Sequence, residues 1–381
     1  MRRLIAAVMF GLGCASPGMP PGGPPDAAAP QIIAIIPDSG SVGVKPKEVI
    51  FRFDEVVAER PTSVTTLADL FLISPRDGVP DVSWHRDAIA VKPTHGWRPN
   101  TPYTVIMMRG LADIRGNVRN TGVTTFFSTG PTIPRTRISG QVFDWVTGAP
   151  AGGALVQSFV QPDSIHPYVA LVDTGGAFVL EHLPPARYTV RAYLDRNKDM
   201  GIDPSEQWDS VSVNLADSAR IELLLFVHDT VPPRLRDIAA VDSQTLRVTF
   251  DKPVDPAQTL TAANFAVIGP DSVPVPIASA NPEPRDTVGK TAAPPPSRAG
   301  VRPRVETSAA PKRVMSRPTA IATAIIKLQR PLTPKVVYRV RAIGIRSLLG
   351  RAGNSERPFT APAPPAKPAA TPPAPPPSVK K

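Results

Sequence analysis

Apolar residues recur on every second position in short runs along most of this chain. Val49, Phe51 and Phe53 form one run, and Leu246, Val248 and Phe250 form another. Further on, Val336, Tyr338 and Val340 alternate with Val337, Arg339 and Arg341, so one face is apolar and the other wet. Successive side chains of a strand point to opposite faces, so this period predicts half-buried β-strands. Turn dipeptides such as Asp77-Gly78 and Gly116-Asn117 separate the runs. A density of about seven short strands per hundred residues predicts β-sandwiches. Helical spacing is nearly absent, with one short helix expected around Ser63 to Leu70. The predicted fold class is all-β, three sandwiches in series with disordered segments.

The runs also repeat. Phe53-Asp54 recurs as Phe250-Asp251, and Tyr103-Thr-Val recurs as Tyr338-Arg-Val at a larger offset. Gly116-Asn117 matches Gly353-Asn354, and the second copy is read as having Arg346 where the first has Asp113 before its Gly-Asn turn, so a role for that Asp is not expected in both copies. A disordered insertion at 281–318 in the second copy accounts for the change of offset. In both copies the Phe is expected to fill the core and the Asp to accept hydrogen bonds at the strand end.

These patterns resemble the bacterial Ig-like domain family. The resemblance is carried by "IIPDSGSVGVKPKEVIFRFDEVV", "LADIRGN" and "FFSTG" over 31–131, and more weakly by "LRVTFDKPVD" and "YRVRAIGIRSLLGRAGN" over 229–361. Between them, "ISGQVFDWVTG" and "VDTGGAFVLEHLPPARYTVRAYLD" resemble the carboxypeptidase regulatory-like, or prealbumin-like, sandwich over 135–228. That resemblance implies stability, spacing or a binding surface, and no peptidase activity.

Composition sharpens the boundaries. Of 49 prolines, 23 fall in the segments 17–30, 281–318 and 361–381, which cannot pack a core. Arg2 and Arg3, the insertion and the tail also hold +10 of the formal net charge of +11. The remaining chain is then close to neutral, with no basic face expected on a folded module, so nucleic acid is not an expected partner. Arg2-Arg3 followed by an apolar run from Leu4 to Leu12 predicts a secretory leader over 1–14. Cys14, the one cysteine, sits at the cleavage position and resembles the lipidated cysteine of a bacterial lipoprotein. The expectation is a cell-envelope protein, outer-membrane-anchored through lipid or else secreted. A flexible tether is expected at 15–30 and a Pro/Ala/Lys-rich disordered tail at 362–381.

Chemistry is concentrated in "YLDRNKDMGIDPSEQW". Asp195, Asn197, Asp199, Asp203 and Glu206 fall at positions 1, 3, 5, 9 and 12 of a turn-rich loop, the oxygen spacing of a calcium loop. The glycine of an EF-hand is displaced to Gly201, and the flanks read as strands rather than helices. Two readings stay open: a structural calcium site outside the EF-hand fold, or a solvated turn whose Asp and Asn side chains bond their own backbone. Trp84, Trp97, Trp145 and Trp208 are candidates for stacking on sugar rings. Trp145 and Trp208 flank turns and are the ones expected to reach a glycan or protein. His85, His95, His166, His182 and His228 are scattered, with no HExxH and no GxSxG elbow. The expected function is a non-catalytic structural or binding module with a cell-wall, glycan or protein partner. The alternatives are an adhesion protein using exposed aromatics, and a hydrolase with an unrecognised site.

Overall fold

The computed structural model describes residues 26–197, 199, 201–283 and 315–363. The leader with Cys14, most of the insertion and the tail from residue 364 lie outside the described residues. Among the described residues, nearly all regular secondary structure is strand. No helix among the described residues is long and apolar enough to cross a membrane.

The first sandwich holds β1 (Ile32–Ile36), β2 (Val49–Phe53), β3 (Phe71–Ser74), β4 (Asp81–Trp84), β5 (Ala88–Lys92), β6 (Pro102–Met107) and β7 (Val123–Ser128). One sheet has the order β1-β2-β5-β4 and the other β3-β6-β7. Val49, Phe51, Phe53, Ile89, Tyr103 and Phe127 interdigitate between them. The expected helix is a single turn, Leu67–Leu70, capped by Thr66. Residues 26–30, read as tether from composition, lie against this sandwich: Pro30 is buried, its carbonyl accepts from Arg119, and the Asp26 carbonyl accepts from Asn117.

The middle sandwich holds β8 (Arg137–Asp144), β9 (Leu155–Val160), β10 (Tyr168–Leu171), β11 (Ala177–Glu181), β12 (Ala186–Tyr193), β13 (Gln207–Leu215) and β14 (Ser218–Val227). All seven form one curled sheet in the order β10-β9-β12-β13-β14-β8-β11. Its two halves are joined by just two residue pairs, Gln207–Val227 and Trp208–Phe226, and β14 runs parallel to β8. That hinge lets the halves face each other over Ile138, Val142, Phe178, Tyr188, Val190 and Leu223.

The third sandwich holds β15 (Leu235–Ala240), β16 (Thr245–Val254), β17 (Phe265–Ile268), β18 (Pro274–Val275), β19 (Ile277–Pro282), β20 (Ile321–Leu328), β21 (Val337–Arg346) and β22 (Ala352–Thr360). Its sheets are β15-β16-β20-β19 and β18-β17-β21-β22, closed over Leu246, Val248, Phe250, Tyr338 and Val340.

The described residues fall into two compact units, one within Met1–Ile73 and Asp77–Thr132, the other within Ser74–Arg76 and Ile133–Lys381. Within the second unit, the segment returning from the insertion is pinned to the middle sandwich. The Trp145 indole donates to the Pro318 carbonyl, Ala320 N–H donates to the Trp145 carbonyl, and Ser316 donates to the Glu222 carboxylate. Residues 281–282, in β19, and 315–318, held by these partners on the neighbouring sheet, therefore belong to the folded structure although composition places them in the insertion.

The repeat is physical as well as textual. Phe53 and Phe250 are both core residues. Asp54 accepts Gln31 N–H at 2.8 Å, and Asp251 accepts Arg234 N–H at 2.7 Å, so each Asp locks the start of the preceding strand. The Tyr103 hydroxyl accepts Arg98 N–H and the Tyr338 hydroxyl accepts Thr333 N–H, a matched corner in each copy. β4 and β5 are joined by residues 85–87, whereas the equivalent β19 and β20 are separated by 283–320, which puts the insertion in one hairpin turn. The turn register departs from the text. Val57 bridges Asp113 and Val254 bridges Ser347, so Ser347, not Arg346, is the counterpart of Asp113. Ser347 Oγ accepts Arg351 N–H as Asp113 accepts Arg115 and Asn117 N–H, so the turn-holding role is shared after all. A Gly-Asn dipeptide suits many turns, and only strand pairing identifies the equivalent one.

Candidate functional site

The acidic loop joins β12 to β13, closed at its base by Leu194 N–H donating to the Gln207 carbonyl at 3.0 Å. Four of its five predicted residues, Asn197, Asp199, Asp203 and Glu206, are joined by hydrogen bonds. Asn197 Nδ2 donates to both Asp199 Oδ2 and Asp203 Oδ2, each at 2.9 Å. Asp199 N–H donates back to Asn197 Oδ1, and Gly201 N–H donates to Asp199 Oδ1. Glu206 is only 2% exposed. Its Oε1 accepts Arg196 N–H at 2.8 Å, and its Oε2 accepts Asp203 N–H at 3.1 Å. The carboxylate that position 12 would offer to a metal thus already organises the loop from inside. Gly201 fits because its missing side chain leaves room for the Asp199 carboxylate, 3.0 Å from where a Cβ would stand.

Trp145 and Trp208 lie on one continuous ladder. Trp145 meets Phe226 edge-on at 5.3 Å, Phe226 stacks on His228 at 4.2 Å, and His228 stacks on Trp208 at 3.7 Å. The Arg191 guanidinium lies 5.8 Å from the Trp208 ring centre and 5.6 Å from that of Phe159. Both tryptophans are half-buried, and their rings are engaged by these neighbours. Burial lowers the His228 pKa, against the opposing pull of the Phe226 carbonyl and Asp209, so the stacked ring is held toward its neutral form. Beside the ladder, where the middle and third sandwiches meet, an apolar cavity of about 140 Å³ is lined by Val146, Phe226, Val231, Pro253 and Leu349, with the Asp229–Lys252 ion pair among its lining residues. Trp84 and Trp97 pack on the first core, the indole of Trp84 donating to the Val57 carbonyl. Of the other histidines, His95 pairs with Asp77 and His166 with Asp163, and His182 bonds the Pro134 carbonyl.

A second acidic group escaped sequence reasoning because its members are far apart in the chain. Asp26, Glu55 and Asp113 present carboxylate oxygens within 4.8 Å of one another. Asp113 is buried and spends its oxygens on its own turn, with Oδ1 accepting Arg115 and Asn117 N–H and Oδ2 accepting Asn117 Nδ2. Burial pushes its pKa up, but these donors outweigh that and hold it below the ordinary value.

Residues 26–129 match the family model of the bacterial Ig-like domain. The first sandwich is thus similar to a bacterial Ig-like domain. The match contains the Phe53-Asp54 lock, the Tyr103 corner and the Asp113 turn, so the features that hold the first sandwich together are those the match spans. No curated protein matches the chain. Among solved structures, the N-terminal part of the bacterial S-layer protein SbsC is 20% identical over 35% of this chain and 24% of that one, with a TM-score of 0.22. An L,D-transpeptidase from Mycobacterium smegmatis is 16% identical over 52% and 76%, with a TM-score of 0.19. The major pilin subunit BcpA of Bacillus cereus is 8% identical over 51% and 70%, with a TM-score of 0.18. At these scores none of the three carries an argument about function.

In the first sandwich, burial raises the Glu55 pKa first, followed by repulsion from Asp113, Asp26 and Asp54, with Arg115 opposing. A carboxyl raised on folding favours the folded state at low pH, and that advantage is lost as pH climbs from the ordinary carboxyl value through the raised one. Glu55→Gln is therefore expected to stabilise the domain at pH 7 by about 0.2–1 kcal/mol, the range of a solvent-screened charge contact, and to change little at pH 4. Calorimetry at the two pH values checks this, and equal shifts at both would refute the repulsion.

Proposed function

We propose that this chain is a non-catalytic module of the bacterial cell envelope, anchored through lipid at Cys14, that holds its sandwiches away from the membrane to present a binding surface. The observation that carries the reading is how side-chain chemistry is deployed. Asp54, Asp113, Asp251 and Glu206 all accept backbone N–H groups that fix strands and turns. The Ig-like match and the leader-like sequence before it support the envelope setting.

Calcium belongs to this reading as a stiffener of the 195–206 loop. Asp195, Asn197, Asp199 and Asp203 supply hard oxygens around a loop that Glu206 already closes. Calcium at ten times its dissociation constant is expected to stabilise the protein by about 1.4 kcal/mol, a melting shift of a few degrees. Asp199→Ala removes that shift, and a wild-type melt unmoved by millimolar calcium removes the metal from the proposal. Incorporation of labelled palmitate by the wild-type chain, and none by Cys14→Ser, tests the anchor separately.

A further inference from the structure

Near-neutrality of the chain outside the leader, insertion and tail conceals a segregation of charge. Residues 330–357 contain six arginines and Lys335 against a single acid, Glu356. All seven basic residues are exposed. The absence of a basic face expected from composition therefore does not hold for the third sandwich, because a balance summed over three domains cannot show where charge lies.

The placement is specific. Arg339 and Arg341 leave the outer face of β21 two residues apart, about 6.6 Å along a strand. The bulge between Ala342 and Ile345, with Gly344 at φ +65°, shifts the alternation by one residue. Ile345 is thereby buried, and Arg346 returns to the solvent side. Arg357, on the edge strand β22, stands opposite the buried Val340 and so lies on the other side of the sheet from Arg339 and Arg341, and Arg351 follows the turn that joins the two strands. Glu356 pairs with Arg341 and, at 3.7 Å, with Arg339. Arg346, Arg351 and Arg357 form no ion pair among the described residues. Val337 and Ile343 lie exposed along the same row.

The repeat is an internal control. At the offset that equates Tyr103 with Tyr338, Thr104 and Ile106 stand where Arg339 and Arg341 stand. The fold therefore forms this strand without a basic row, and the arginines answer to something other than folding. Guanidinium groups bind phosphate oxygens bidentately, which lysine cannot do. We propose that the outer face of β21 is a docking surface for a linear phosphate-bearing polymer, whose successive phosphates engage Arg339, Arg341 and Arg346 along the strand. This goes beyond the anchored-module reading and does not depend on calcium or lipid.

Binding of the full-length chain to inorganic polyphosphate, measured across a salt series, tests the proposal. Replacing Arg339, Arg341 and Arg346 together by Ser is expected to weaken binding at least roughly tenfold near 0.1 M salt. It should also flatten the log–log salt slope by about 2–3, the release expected for three phosphate contacts. Neutralising Lys367, Lys380 and Lys381 to Gln costs less, and Glu356→Gln, which removes the one acid from the face, tightens binding. An arginine variant that melts like wild type yet binds equally well overturns the proposal. So does a loss no larger than that of the tail variant. Preference for polygalacturonate or anionic phospholipid vesicles overturns it too, as does salt-dependent self-association without polymer binding.

Discussion

Glu206→Ala is expected to destabilise the second unit by at least about 2 kcal/mol and to loosen the whole 195–206 loop. The carboxylate is buried and accepts one backbone N–H on each oxygen, from Arg196 and Asp203. Alanine leaves both donors without that partner, and an unsatisfied buried group costs about 1–3 kcal/mol. Glu206→Gln keeps one carbonyl acceptor and should lose roughly half as much. Hydrogen exchange separates a local from a global effect: the Arg196 and Asp203 amides should exchange much faster in Glu206→Ala, with the β14 amides slowed or sped only by the overall loss of stability. Wild-type protection of those two amides in the alanine variant would show that the loop is closed by something else. The calcium proposal meets the same variant from the other side, since a melt that responds to calcium in wild type should not respond without Glu206.

Gly140→Ala is expected to cost about 3 kcal/mol, the upper end for overpacking a core. Gly140 sits on β8 between β14 and β11, paired with Ile221 on one side and Phe178 on the other. A Cβ there would run into the Ile221 carbonyl oxygen and stand 2.8 Å from the Phe178 ring. Neither the central strand nor the buried Phe178 can retreat, because both are enclosed by the middle core. For a unit of this size the melting temperature should fall by roughly 6–12 °C. Gly140→Ala paired with Phe178→Leu is the informative double variant: partial recovery shows that the ring is the obstacle, and no recovery assigns the cost to the β14 backbone.

Gly140 also shows how far the text of the chain could be read. It alternates with Ile138 and Val142 in the sequence, a period of two that points it inward, which is where it lies. Nothing local said that the ring of Phe178, from a strand formed thirty-odd residues later, would fill the space above it. The Phe-Asp motif was legible in both copies, role included, because a core aromatic and a backbone-accepting carboxylate act within one strand and its neighbour. The Asp113 counterpart was misassigned, since a turn dipeptide carries little information about which turn it is. The Asp26–Glu55–Asp113 group could not have been found, because loop closure brings together residues separated by tens of positions.

By itself, the sequence determined that this chain builds sheets with one buried face, that one sandwich pattern occurs twice, and that an insertion interrupts the second copy. Each is a statement about neighbours along the backbone, which alternation and repetition record directly. The tertiary structure alone decided that Glu206 is buried beneath its loop, that Trp145 and Trp208 share one ladder through Phe226 and His228, and that the arginines of β21 line up on one side. Those depend on which strands pair and where a bulge shifts the register. Such pairings are selected by packing between distant segments, and a period-two pattern is equally compatible with many of them.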